Sequence, residues 1–221
     1  VIDAAREVAN AIGSVERLMQ GGRASVRGLV RVSSTDSLCQ VILPPLVARL
    51  HALSPELQID IMSTNSHLDF ARLQADIAVR PARSLPDEMR GETGAIMTFR
   101  AYALPGAPEN WLGMSGPLAR SVPAAWMASN LGPEATIGGS DSFMVLREMA
   151  RAGLGIAVLP AFLGDRTAGL QPRPELMPEL SVPVWVATFA ELRDVPRIRI
   201  VCEQIVEFLK EQAASLRGTT A

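Results

Sequence analysis

Twice along this chain, short apolar runs alternate with segments of helical period in the order strand, helix, strand, helix, strand. Such alternation selects a parallel sheet covered by helices, because parallel strands need a long crossover and a helix is the usual one. In the first half the predicted strands are 28–33 (GLVRVS), 57–64 (LQIDIMST) and 75–80 (ADIAVR). Helices are predicted over 38–52 and 66–74, the first interrupted near Pro44-Pro45. Residues 81–93 read as a charged loop, followed by a long strand over 94–104. The pattern then restarts, with strands at 110–114, 134–138 and 155–160, helices at 122–131 and 142–152, and a helical turn at 161–166. A strand over 182–190 and a long helix over 194–214 complete it. Pro105-Gly106-Ala107-Pro108 between the halves is the expected crossover. The fold class is therefore α/β, with two hinged lobes: 23–104 plus 181–215 as the first and 105–180 as the second.

Residues 1–20 carry a different period. Val1, Ala5, Val8, Ile12, Val15 and Met19 fall at alternating four- and three-residue steps, the seam of a coiled coil, and Gly21-Gly22 ends it. This segment (1–22) reads as a linker helix that pairs with a second copy in a homodimer or homotetramer; packing on its own domain is the alternative. The chain begins abruptly inside the helical pattern and without Met, which implies sequence upstream.

The 221 residues have 48% hydrophobic and 20% charged side chains, ample for a core. A net charge of −2 gives no bulk attraction to DNA or to an anionic membrane. No apolar run approaches the roughly 18 residues of a membrane helix, and the N-terminus lacks the layout of a signal peptide. Two distant cysteines, Cys39 and Cys202, form neither a metal motif nor a disulfide framework. A cytoplasmic location and the absence of metal and cofactor are the expectations.

Four segments together resemble one family. The G-x-V-x-V-S strand runs into a Ser/Thr turn; PPLVARLHALSPELQIDI follows, then LQADIAVR, and later SFMVLREMARAGLGIAVLPAFL. In this order and spacing they resemble the effector-binding domain of LysR-type transcriptional regulators, over almost the whole chain. The resemblance implies a type 2 periplasmic-binding-protein fold of two Rossmann-like lobes and a small-molecule effector between them. It also implies side-by-side oligomers, and DNA contact through a winged helix-turn-helix upstream rather than through these residues. The chain departs from the pattern at Leu73, where the family usually has glycine.

Candidate effector-binding residues follow from the strand ends, where open α/β sheets bind ligands. Ser33, Ser34, Thr35 and Asp36 form a polar turn between the first strand and a helix, suited to an anionic or carbonyl oxygen. Plain helix capping competes with that role. Ser140, Asp141 and Phe143 occupy the equivalent turn of the second lobe, and two such turns facing across a cleft would grip a ligand from both sides. Arg80, beside Pro81, could hold a carboxylate bidentately or pair with Asp87 or Glu88. Ala161 ends the corresponding strand of the second lobe.

Catalysis finds no support. His51 and His67 lack partners in metal or triad spacing, and there is no nucleophile elbow or phosphate loop. Cys39 at a helix start is the one thiol whose pKa a helix dipole could lower, whereas Cys202 reads as core. The working expectation is ligand-controlled transcriptional regulation and not enzymatic activity. A transporter's solute-binding protein and an enzyme on the same fold are the alternatives.

Overall fold

The computed structural model describes residues 26–66 and 75–218. The heptad segment, His67, Leu73 and nearly all of the predicted helix over 66–74 lie outside them. The first elements are β1 (Gly28–Ser34), α1 (Asp36–Val41), α2 (Leu43–Leu53), β2 (Leu57–Ser63) and β3 (Ile77–Pro81). After β4 (Met89–Ala103) come β5 (Trp111–Met114), α3 (Val122–Asn130), β6 (Thr136–Ser140), α4 (Phe143–Arg151), β7 (Ala157–Pro160), α5 (Ala161–Gly164) and β8 (Gln171–Pro172). The chain returns through β9 (Leu180–Phe189), α6 (Pro196–Glu211) and α7 (Ala213–Arg217).

The main sheet runs β2-β1-β3-β9-β4-β7, with β8 beside β4; β5 and β6 form a second, parallel pair. Only β1 with β2 and β3 is parallel in the main sheet, so the expected parallel sheet is mixed. The reason is β4 and β9, two long strands that pair antiparallel with each other along their length. Met89–Thr93 face Trp185–Phe189, next to β3 of the first lobe. Phe99–Tyr102 pair with β7 of the second lobe. β4 thus runs from beside β9 near β3 to β7, and Pro105-Gly106 is a turn after it.

β4 starts at Met89, not at 94, because close approach replaces side-chain packing at its glycines. A Cβ on Gly91 would lie 2.2 Å from the Val186 carbonyl oxygen, and one on Gly94 would lie 2.7 Å from Leu209. Gly94 also sits at the register shift between Thr93 and Ala95. The first helix breaks at Ile42, ahead of the prolines, since Pro44 and Pro45 sit in the first turn of α2, where no intrahelical N–H is lost.

Buried apolar residues form one continuous core through both lobes. In the first lobe, Val30, Val32, Ile77 and Val79 pack with Leu38, Leu46, Leu50, Ile198, Val201 and Ile205. In the second, Leu112, Leu146, Ile156, Val158 and Phe162 do the same. Each such side chain stabilises the fold by about 1.5–3 kcal/mol relative to exposure. The predicted final helix is broken at Gln212. α6 lies on the first lobe, where Arg49 pairs with Glu211 at 2.9 Å. α7 reaches the second, packing on β4 and α5, and Arg100 donates to the carbonyls of Arg217 and Gly218.

Candidate functional site

The turn after β1 is buried and internally satisfied. Ser34 Oγ donates to the Val79 carbonyl at 2.7 Å, across the parallel β1–β3 pair. Ser33 Oγ accepts from Arg80 Nη2 at 2.7 Å, and Arg80 Nη1 donates to the Thr64 carbonyl. Arg80 is only 8% exposed and has no carboxylate partner among the described residues, Asp87 and Glu88 included. Loss of hydration pulls its pKa down to about 10, still well above neutrality. Among the described residues, this buried cation is held by neutral oxygens alone.

Asp36 points across the interlobe gap. Its carboxylate accepts from its neighbour Ser37 N–H at 2.6 Å and from the hydroxyl of Ser142 in the second lobe. Asn65 makes a second bridge, accepting from the Asp36 N–H at 3.2 Å and donating to the Asp141 carbonyl at 2.7 Å. The two strand-to-helix turns therefore touch each other directly and close one side of the cleft. Ser142 also caps α4 through Val145 N–H.

Beside this seam lies a cavity of about 370 Å³ between the lobes. The first lobe contributes Thr35, Asn65, Pro81, Ala82 and Arg83; the second contributes Leu118, Arg120, Ser121, Val122 and Phe143; the connecting strands contribute Phe99 and Val182. Phe99 and Phe143 meet with ring centroids 5.5 Å apart. Thr35 is 7% exposed, and its hydroxyl is a buried side-chain oxygen with no hydrogen-bond partner among the described residues. An orphaned buried hydroxyl costs about 1–3 kcal/mol unless something bonds it, and Thr35 carries such a hydroxyl at the cavity lining. The lining has two guanidinium groups and no carboxylate.

Of the ten residues singled out by sequence, Thr35, Pro81 and Phe143 line this cavity. Ser33, Ser34, Asp36 and Arg80 lie outside its lining, tied up in hydrogen bonds of their own, and Arg80 lines a separate, smaller cavity of about 140 Å³. Ser140 accepts from the Ser142 N–H and Asp141 abuts Gly116, both outside the lining. Ala161 is fully buried and faces Gly218, away from the cleft. Apart from Phe143, the second lobe's share comes from the segment after β5, a 3-10 turn (Gly116–Arg120) leading into α3. Its signal was present as a polar cap before proline: Ser121 accepts from the Ala124 N–H, and Pro123 sits in the first turn of α3.

Burial raises the Cys39 thiol above its ordinary pKa, opposite to the lowering that a helix dipole could bring, and pushes Cys202 up to about 12. Both thiols are free. Among the described residues no group of acidic, His and Cys side chains could hold a metal, and no helix is long and apolar enough to cross a membrane.

Residues 23–210 match the family model for the LysR substrate binding domain. The Mau operon transcriptional activator of Paracoccus denitrificans is 27% identical over 189 residues, covering 83% of this chain; the match spans 66% of that relative. Among solved structures, the regulatory domain of CrgA, a LysR-type transcriptional regulator from Neisseria meningitidis, aligns with a TM-score of 0.69 at 22% identity. It covers 85% of this chain and 99% of that one. The AmpR effector binding domain from Citrobacter freundii aligns with a TM-score of 0.69 at 15% identity, over 84% of this chain and 100% of its own.

Proposed function

Since the chain belongs to the LysR substrate-binding domain family, we propose that it senses a small organic acid held between its two lobes and passes the change to a homodimer or homotetramer. In the whole protein, in the cytoplasm, DNA would be held by an upstream domain, and this chain would carry out no reaction. The observation that carries the reading is the Thr35 hydroxyl, buried, unpartnered and in the wall of the interlobe cavity. The cationic, carboxylate-free lining supports an acid over an amine or a neutral compound. The cavity is near the small end of ligand sites, which run from roughly 300 to 1,000 Å³.

A bound acid would engage both lobes at once. It binds the closed arrangement more tightly than an open one, and that difference in affinity is the most by which it can shift the population. The Asp36–Ser142 and Asn65–Asp141 contacts already join the lobes on one side, so closure would pivot about that seam and the β4–β9 pair. A thermal-shift screen of small organic acids against wild type and Thr35→Val tests this. The reading expects an acid that raises the wild-type melting temperature and raises that of Thr35→Val distinctly less. Equal stabilisation of both would remove Thr35 from the site, and stabilisation only by amines or neutral compounds would remove the acid.

A further inference from the structure

Resting on the organic-acid reading, we propose that the effector carries two separated anionic groups flanking an apolar body, one held by Arg83 and the other by Arg120. Both arginines line the cavity, and they come from opposite lobes. Neither forms an ion pair with a described residue, although this chain pairs Arg49, Arg100, Arg147, Arg151 and Arg173 with carboxylates.

Their backbones are anchored. On the first lobe, Ala82 N–H donates to the Pro183 carbonyl at 3.0 Å, and the Ala82 carbonyl accepts from Trp185 Nε1 at 3.0 Å, so Arg83 projects from a segment stapled to β9. On the second, Arg120 ends the 3-10 turn, whose last bond runs from Ser121 N–H to the Leu118 carbonyl at 3.0 Å. Ser121 Oγ is itself held, 3.3 Å from Met114 Sδ and 3.3 Å from the Ala124 N–H.

Between the two cations the wall is apolar: Phe99, Leu118, Val122, Phe143 and Val182. Bringing the lobes together brings two like charges toward one small volume with no carboxylate between them. A single carboxylate neutralises one and leaves the other. A molecule with an anion at each end neutralises both and ties one lobe to the other, so only the doubly charged ligand gains from closure at both ends.

The test is calorimetry at fixed ionic strength on the whole chain, with glutarate, adipate and terephthalate, their monomethyl esters, and benzoate as probes. Arg83→Met and Arg120→Met are the variants; both positions are exposed, and thermal melts confirm that the variants fold. The expected result is that at least one diacid binds at least roughly tenfold more tightly than its monoester, since a hydrogen bond to a charged group is worth about 1.5–3 kcal/mol. Each variant should bring that diacid down to about the affinity of its monoester. Monoesters or benzoate binding as tightly as the diacids, or a diacid affinity that survives Arg120→Met, would overturn the two-anion proposal and leave the organic-acid reading standing. No binding by any of these acids would overturn the proposal, and acids of other shapes stabilising the chain in the thermal screen would still uphold the reading beneath it.

Discussion

The turn after β1 and the turn after β6 look alike in sequence, SSTDS against GSDSF, yet they do different work. The first is sunk in the core: Ser33 and Ser34 are fully buried and bonded to Arg80 and Val79. The second lies at the surface, with β6 exposed along nearly its whole length. Its hydroxyls cap α4 and reach over to Asp36. Both turns share the seam, through Asp36 and Ser142, and both reach the cavity, through Thr35 and Phe143, but only the first is also locked into the core by Ser33 and Ser34. Similar turns at equivalent strand ends therefore need not hold equivalent halves of a ligand, because burial decides which polar groups have anything left to give.

The largest effect that would sharpen this contrast lies in the helices that follow. Leu38→Ala in α1 should lower unfolding stability by about 2–5 kcal/mol, since Leu38 is fully buried. Val145→Ala in α4, 47% exposed, should stay within about 0.5 kcal/mol. Chemical denaturation measures both, and equal losses would break the comparison.

In β6, leading into the second turn, Gly139→Ala and Gly138→Ala should separate. A Cβ on Gly139 would lie 2.4 Å from the Gly113 carbonyl oxygen, forcing β5 and β6 apart, whereas at Gly138 the nearest atom is the flexible Met149 tip at 3.7 Å. The first should be destabilised by about 1–3 kcal/mol, and the second should change by less than about 1 kcal/mol.

Smaller again is the pair Ser33→Ala and Ser140→Ala. Removing Ser33 leaves a buried guanidinium N–H without its acceptor, an expected loss of about 1–3 kcal/mol; Ser140→Ala should lose under about 1 kcal/mol. Thermal melts that rank them the other way would reassign the load between the turns.

The smallest effect is chemical. Burial favours the neutral thiol at Cys39, so its thiolate fraction at pH 8 is below that of an ordinary cysteine and rises only as pH climbs past the ordinary value. Alkylation of the folded chain at pH 8 should be slower than that of a free thiol. Faster alkylation at Cys39 would contradict the effect of burial on this thiol.

Much of this was legible in the sequence because β1, β3, β7 and β9 are largely apolar runs, and β2 an alternating one, bounded by turn residues. The first segment of β4 was not. Met89–Thr93 is charged and carries Gly91, and it becomes a strand only because β9 lies beside it. The break between α6 and α7 was hidden for a similar reason: residues 194–214 keep a helical period, and the bend at Gln212 follows from Arg100 and α5 waiting on the other lobe. In the site, Thr35 and Phe143 were readable from strand ends, whereas Arg83 and Arg120 sit in short connections whose direction depends on tertiary anchors.

The central claim is that ligand binds in the interlobe cavity walled by Thr35, not in a grip between the two turns. The most direct measurement is calorimetric affinity of a stabilising acid for wild type, Thr35→Val and Ser140→Ala. The account predicts at least a roughly tenfold loss for Thr35→Val, from one hydrogen bond to a charged group, and an unchanged affinity for Ser140→Ala. A loss confined to Ser140→Ala, with Thr35→Val binding like wild type, would contradict it.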